Sequence, residues 1–170
     1  VNTFDPGGDA PIGTLTSPVF TIDKQYIHFL IGGGNQPQLT CINLLIGDQV
    51  VRTATGRNSE RLEWESWEVG EFQGQAARIQ IVDQSSTSWG HINIDHIILS
   101  DKPIEQLRDK EASEDNALIA GADVKVLEDF ESDSYGDWVV EGPGAAAWCA
   151  SGEKSESEAR ECAPASEHYV

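Results

Sequence analysis

The sequence predicts an all-β protein, an antiparallel β-sandwich of jelly-roll type, on three observations. Two stretches between Ala76 and Ser100 alternate isoleucine with polar residues, which is the period of a strand with one buried face. Other stretches rich in β-branched and aromatic residues follow one another closely, separated by turn-forming residues. Convincing helical periodicity is missing before Asp101, which favours strands over helices in this part of the chain. The length of 170 residues predicts one domain, with room for a core and a tail.

The first predicted strands follow a loop-like segment that ends at Pro11. Gly13 to Ile22 is interrupted by Pro18, which lacks a backbone N–H and therefore predicts an edge strand or a bulge. Tyr26 to Ile31 runs into three glycines, where the chain can turn sharply or approach a ligand closely. The side chains expected on one face of this strand are Ile27, Phe29 and Ile31.

The middle of the chain predicts a β-hairpin and a further strand. Thr40–Ile46 and Gln49–Ala54 flank Gly47-Asp48, a two-residue connection typical of hairpins. As a strand, Leu62–Val69 points its two tryptophans to opposite faces, so we expect one in the core and one partly exposed. These tryptophans are Trp64 and Trp67.

The last two predicted strands flank a polar loop that ends at Trp89. In the first, Ile79 and Ile81 alternate with Arg78 and Gln80. In the second, one face is predicted to carry Ile92, Ile94, His96 and Ile98. The opposite face is predicted to carry His91, Asn93 and Asp95, followed by Ile97 and Leu99. Among isoleucines, His96 is expected to be a hydrogen-bonded core histidine.

Four regions follow from these patterns. Residues 1–102 are predicted to form the sandwich, residues 103–122 an acidic linker, and residues 123–142 a second structured segment. Residues 143–170, in which Ala, Ser, Glu and Gly dominate, are predicted to be largely disordered. Acidic residues are concentrated late in the chain: 18 acidic and 6 basic side chains follow residue 100, against 11 and 5 before it.

The three cysteines do not have the spacing of metal ligands, and no EF-hand-like run of acidic residues is present, so neither a metal nor a cofactor is predicted. Cys41 lies in an apolar run and is expected to be a small buried side chain. Cys149 and Cys162 can pair across the tail in an oxidising compartment, and the sequence leaves their state open.

The net charge of −18 disfavours nucleic acid and anionic membrane surfaces as partners. The sequence has no apolar run of the roughly 20 residues that a membrane helix needs, and no signal peptide is visible. Such a surface tolerates a neutral ligand such as a sugar, although solubility alone also accounts for most of the carboxylates.

The loop ending at Trp89 is the predicted ligand site. A sugar site needs an aromatic platform and a few convergent polar groups, and Trp89 lies among Ser, Thr and Gly. His91, Asn93 and Asp95 share a strand face and are predicted to converge with Arg52 on hydroxyl groups. Two alternatives stay open: a tryptophan that caps the core, and a merely solvated strand face.

The stretch GTLTSPVFTIDKQYIHFLIGGGNQPQLTCINLL, with VVRTATG and then WGHINIDHI, resembles a non-catalytic β-sandwich module. That module occurs at the N-terminal side of bacterial glycoside hydrolase family 32 enzymes, the levanases and related fructan hydrolases. The resemblance covers about residues 1–102. It implies a secreted or periplasmic accessory module, with a fructan as its polysaccharide ligand and the parent enzyme's catalytic domain as its neighbour. The alternative is a structural spacer that docks on that catalytic β-propeller.

In that family the module usually begins with a segment that DFESDSYGDWVVEG resembles, but here this segment follows the module body, at Asp129–Gly142. The chain is then either a piece of a tandem array or a permuted module in which the late segment folds back. We favour the fold-back, because an open sandwich edge would otherwise stay unpaired.

Catalysis by this chain is not expected, since each near-match to the family's acidic motifs fails. Asp5 lacks the flanking Asn residues, Arg108-Asp109 is followed by lysine instead of proline, and Glu161 lies in the predicted tail. A retaining glycosidase also needs two carboxyl groups about 5 Å apart on a rigid frame.

Overall fold

A computed structural model describes residues 1–4, 9–107, 124–132, 134–145 and 148. These residues form ten strands and two short 3₁₀ turns, with no α-helix among them. The strands are Gly13–Thr16 (β1), Phe20–Thr21 (β2), Tyr26–Gly33 (β3), Thr40–Ile46 (β4), Gln49–Ala54 (β5), Ser59–Glu68 (β6), Ala76–Asp83 (β7), Ile92–Ser100 (β8), Val124–Glu128 (β9) and Val139–Glu141 (β10). All pair antiparallel in two sheets, which confirms the predicted class; the jelly-roll order of the strands stays a prediction.

One sheet has six strands, in the order β10-β1-β7-β4-β5, with β2 pairing with β7 as well. The hairpin of β4 and β5 has the bounds that the sequence predicts. Pro18 separates β1 from β2, so the interruption expected at this residue is present. Both short strands pair with β7, which lets the chain continue along one partner on either side of the proline.

The other sheet has four strands, in the order β6-β3-β8-β9. The register places Trp67 opposite Ile27 and Trp64 opposite Leu30. Since successive strand residues point to opposite faces, Trp67 lies in the core and Trp64 lies on the outer face. Trp67 is 6% exposed and Trp64 is half-buried, which confirms the predicted division between the two tryptophans.

The core fills the space between the two sheets. The alternating side chains that the sequence predicts for β3 and β7 are all buried: Ile27, Phe29, Ile31, Ile79 and Ile81. Burying each such side chain stabilises the fold by about 1.5–3 kcal/mol. Cys41 is 1% exposed on β4, as expected for a small apolar group, and burial raises the pKa of its thiol.

A β-bulge in the middle of β8 changes the predicted faces of this strand. The register of β8 against β3 shifts there, and His96 adopts a left-handed φ of 47°. Beyond the bulge, Ile97 and Leu99 belong to the core cluster between the sheets. Ile98 is also buried but does not belong to that cluster. The predicted common face for Ile98, His96 and the earlier isoleucines is therefore wrong, because one extra residue reverses the alternation.

The late segment, residues 124–148, adds a strand to each sheet. β9 pairs with β8 at the edge of the four-stranded sheet, and β10 pairs with β1 at the edge of the six-stranded sheet. Between these two strands, three aromatic side chains enter the core with 2%, 7% and 8% of their surface exposed: Phe130, Tyr135 and Trp138. The segment is thus folded back onto the preceding sandwich.

Packing extends past the predicted start of the tail. Ala145 and Trp148 are 0% and 2% exposed, so the disorder expected from residue 143 does not hold for these two residues. Of the predicted linker, residues 103–107 are described; they include the 3₁₀ turn Ile104–Gln106 and the buried Leu107. Cys149 and Cys162 lie outside the described residues.

Candidate functional site

His91 is the buried centre of a polar network at the start of β8. Its side chain is 4% exposed, with Nδ1 2.7 Å from Oδ1 of Asp9 and Nε2 2.9 Å from Oε1 of Glu60. Carboxylates only accept hydrogen bonds, so both ring nitrogens donate at once only in the imidazolium form. Because both nitrogens are engaged, His91 orients Glu60 and leaves no ring atom for a ligand.

Trp89 covers this histidine from the loop before β8. Its ring is stacked on that of His91, with 5.7 Å between centroids and 28° between planes, and it is half-buried. Gln36 holds the loop by donating to the carbonyl oxygen of Trp89 at 3.1 Å. At Gly34 a Cβ would lie only 1.9 Å from the same oxygen, so the last glycine of the predicted triple permits a close backbone contact. One part of the Trp89 ring thus packs against His91, and the remainder is exposed.

Asn93 carries an unmatched hydrogen-bond acceptor. The residue is 9% exposed, and its Nδ2 donates to Oε2 of Glu60 at 3.0 Å. Its Oδ1 is buried and has no hydrogen-bond partner. A buried acceptor without a partner costs about 1–3 kcal/mol, so this atom marks a place where a donor is missing.

A cavity of about 370 Å³ opens beside Asn93 on the outer face of the four-stranded sheet. Its polar lining includes four residues of β6 and β8: Glu60, Arg61, Asn93 and Asp95. The Cα of Gly32 on β3 pairs with that of Asn93, and a Cβ on Gly32 would lie 3.2 Å from the backbone oxygen of Arg61 and 3.3 Å from that of Glu60. Leu62, Ile94 and the first two residues of the chain complete the lining.

Arg52, the fifth predicted site residue, lies elsewhere. It belongs to β5, at an edge of the six-stranded sheet, whereas β8 belongs to the other sheet. Its guanidinium forms an ion pair with Glu71, donates to the carbonyl oxygen of Glu68 at 3.0 Å, and lies 4.9 Å from the ring centre of Phe72. The predicted convergence of Arg52 with His91, Asn93 and Asp95 is wrong, because periodicity gives the face of a strand but not its sheet.

His96 is not the core histidine that the sequence predicts. Its side chain is 41% exposed on the bulge, and Nδ1 lies 3.2 Å from Oδ2 of Asp95. Hydrogen bonding to Asp95 raises the pKa of His96. Glu131 comes from the loop after β9, and one ligand atom each of Asp95, His96 and Glu131 lies within 4.8 Å of the others. This group has the donor types that divalent metals accept, and it unites residues from distant parts of the sequence.

Two residues of the cavity escaped the sequence analysis. Glu60 and Arg61 precede the predicted strand Leu62–Val69, but β6 already begins at Ser59. Alternating charged residues without an apolar partner gave no signal for a strand there. Asp5, Arg108, Asp109 and Glu161, the near-matches to catalytic motifs, lie outside the described residues.

The fold and the cavity together define an all-β sandwich domain with a polar pocket on one sheet face. Over 99 residues, 58% of this chain, the sequence is 48% identical to a fungal protein described as "Putative glycosyl hydrolase ecdE" from Aspergillus rugulosus. The chain is thus related to a glycosyl hydrolase-named protein, of whose length the match covers 14%. No family model matches the chain, and no solved structure matches it. Among the described residues, no helix is long and apolar enough to cross a membrane.

Proposed function

We propose that this chain is a carbohydrate-binding accessory module of a secreted glycoside hydrolase, with a fructan as its ligand and no hydrolytic activity of its own. The observation that carries this proposal is the match to a glycosyl hydrolase-named protein over 99 residues, only 14% of that protein. A unit of this size, with its own core, is a domain that a longer enzyme carries beside its other parts.

The sheet face that carries the cavity supports a role in binding. Trp89 and Trp64 are both half-buried, and a partly exposed indole can stack on the apolar face of a sugar ring. Asn93 and Asp95 supply polar groups next to the cavity, and His91 acts by holding Glu60. The choice of a fructan rests on the resemblance to the levanase module, since the residues themselves select only for hydroxyl groups.

Affinity electrophoresis tests the proposal. The purified chain is run through native gels that contain levan, inulin, dextran or xylan, and we expect retardation in a fructan gel. Trp89→Ala is expected to weaken the retardation, and Val50→Ala, at an exposed position of β5, serves as the control. Free migration of the wild-type chain in every gel would contradict carbohydrate binding and favour a spacer that docks on a catalytic domain.

The absence of hydrolytic activity is tested separately. The chain is incubated with levan, and released fructose is measured by a reducing-sugar assay. We expect no release above a heat-treated sample; a steady release that follows the protein through purification would show that the chain is itself a hydrolase.

A further inference from the structure

We propose that the cavity between β6 and β8 is a binding site for a single neutral sugar unit, held by Glu60, Arg61, Asn93 and Asp95. This inference rests on the proposed carbohydrate binding and deepens it by naming the site and the chemistry of its ligand.

The unmatched Oδ1 of Asn93 is the first argument. The side chain is nine-tenths buried and lines the cavity, and its amide nitrogen is already bound to Glu60. Asn93 is therefore held in one orientation, and its buried carbonyl oxygen is left without a partner in a residue that lines the cavity. That oxygen needs an O–H or N–H donor, and each hydroxyl group of a sugar is such a donor.

The charges of the wall give the second argument. Glu60 and Asp95 are carboxylates, which accept hydrogen bonds from hydroxyl groups, and Arg61 donates to hydroxyl oxygens. Two carboxylates against one guanidinium make the wall unfavourable for an anion such as a uronic acid or a phosphate, and the net charge of −18 adds to this repulsion. The arrangement therefore suits a neutral polyhydroxy ligand.

The third argument is size and preorganisation. A cavity of about 370 Å³ is at the lower end of the range of about 300–1,000 Å³ for ligand pockets, which suits one sugar ring. Glu60 is 64% exposed, yet His91 and Asn93 bind its two oxygens and fix the carboxylate at the cavity. A wall that is ordered before the ligand arrives reduces the entropic cost of binding.

The test uses the ¹⁵N-labelled full chain and NMR chemical-shift mapping. The probes are fructose, a short levan oligosaccharide, and galacturonate as the anionic probe. Fructose and the oligosaccharide are expected to shift the signals of the Asn93 side-chain amide and of the Gly32 and Asp95 backbone amides. Galacturonate is expected to leave them unchanged. If the pocket holds a chain end, fructose will displace the oligosaccharide competitively; oligosaccharide binding that fructose does not reverse would overturn single-unit recognition.

Two variants test whether the ligand binds in the cavity. Asn93→Ala removes the unmatched acceptor, and Arg61→Gln replaces an exposed guanidinium with a shorter, neutral amide. Each is expected to weaken fructose binding about three- to tenfold, the effect of one lost hydrogen bond. Arg57→Gln is the matched control, because Arg57 is an exposed arginine that pairs with Glu63 and Glu65 and does not line the cavity. Arg57→Gln is expected to bind as the wild type does.

The outcomes separate the two proposals. If levan retards the wild-type chain but the shifts cluster around the Trp89 indole and both variants bind normally, the cavity proposal is overturned and carbohydrate binding stands. If neither levan nor fructose binds, both proposals fail. Arg61→Gln keeps the test informative if Asn93→Ala does not fold, which amide dispersion in the same spectra shows.

Discussion

The Nε2 atom of His91 lies 2.9 Å from the Oε1 atom of Glu60, and this contact joins a buried side chain to an exposed one. His91 is buried, whereas Glu60 is 64% exposed at the cavity. On its other side His91 is held by Asp9, from the segment before β1. The position of a surface carboxylate thus depends on a buried imidazole and on a segment more than fifty residues away in the sequence.

The coupling between these two residues is measurable. His91→Ala should lower the free energy of unfolding by about 2–3 kcal/mol, because Asp9 and Glu60 lose a buried side chain that contacts both of them. In a double-mutant cycle with Glu60→Gln we expect an interaction free energy of about 1 kcal/mol, reduced by the exposure of Glu60. Urea unfolding followed by tryptophan fluorescence gives the four values. Strict additivity would show that the contact contributes nothing to the fold.

Trp138 tests whether the late segment belongs to the same cooperative unit as the sandwich. Its side chain is 8% exposed, its ring centre lies 5.5 Å from that of Phe130, and its Nε1 donates to Oε2 of Glu128 at 2.9 Å. Trp138→Ala should cost about 3–5 kcal/mol, as truncations of buried aromatic side chains do. Trp64 is half-buried on the outer face, so Trp64→Ala should lower the free energy of unfolding clearly less. Equal effects, or a separate early transition for the late segment, would contradict one cooperative unit.

The strands and their buried faces follow from local sequence. The hairpin Thr40–Ile46 and Gln49–Ala54 and the alternation of Ile79 and Ile81 were predictable, because side-chain period and turn residues act within a few positions. The faces of β8 were predictable only as far as Asp95. The bulge at His96 depends on how β8 meets β3 and β9, which no local pattern encodes.

The candidate site was less predictable than the fold, because its parts come from separate segments. Strand period predicted Asn93 and Asp95 as site residues, and the composition of the loop predicted Trp89. Glu60 was missed because the start of β6 has no apolar alternation, and Arg52 was included because sequence does not show which sheet a strand joins. Local pattern places a side chain on a face, and tertiary pairing decides which faces meet.

Arg52→Gln separates the predicted site from the observed one. Arg52 binds Glu71 and the carbonyl oxygen of Glu68. Glu68 is the last residue of β6, whereas the cavity is lined by residues near the start of that strand, so fructan binding should be unchanged. The free energy of unfolding should fall by about 1 kcal/mol or less, since the Glu71 partner is 63% exposed. Gel retardation and urea unfolding on one preparation give both numbers. A loss of retardation in a fully folded Arg52→Gln chain would show that Arg52 takes part in fructan binding.

Asp83 makes the stability of the sandwich depend on pH. Its carboxyl group is fully buried at the end of β7, and Oδ2 has no hydrogen-bond partner. Burial raises the pKa of Asp83 from 3.8 to about 6, against smaller opposing effects from Thr3, the Ser85 backbone and His91; the nearby Asp9 raises it further. A raised pKa in the folded state means that the folded chain binds the proton more tightly than the unfolded chain does. The stabilisation from this proton is complete below about pH 4 and is lost as the pH rises through about 6.

Asp83→Asn removes the ionisation and keeps the shape of the side chain, so the comparison isolates this group. Between pH 5 and pH 8 the wild-type chain should lose roughly 1–2 kcal/mol from Asp83, a loss that the variant cannot show. The difference in unfolding free energy, variant minus wild type, should therefore increase by that amount as the pH rises. Urea unfolding of both chains at matched pH values cancels the contributions of Asp9, His91 and the other titrating groups. A difference that stays constant from pH 5 to pH 8 would show that Asp83 is ionised, and compensated, in the folded chain throughout this range.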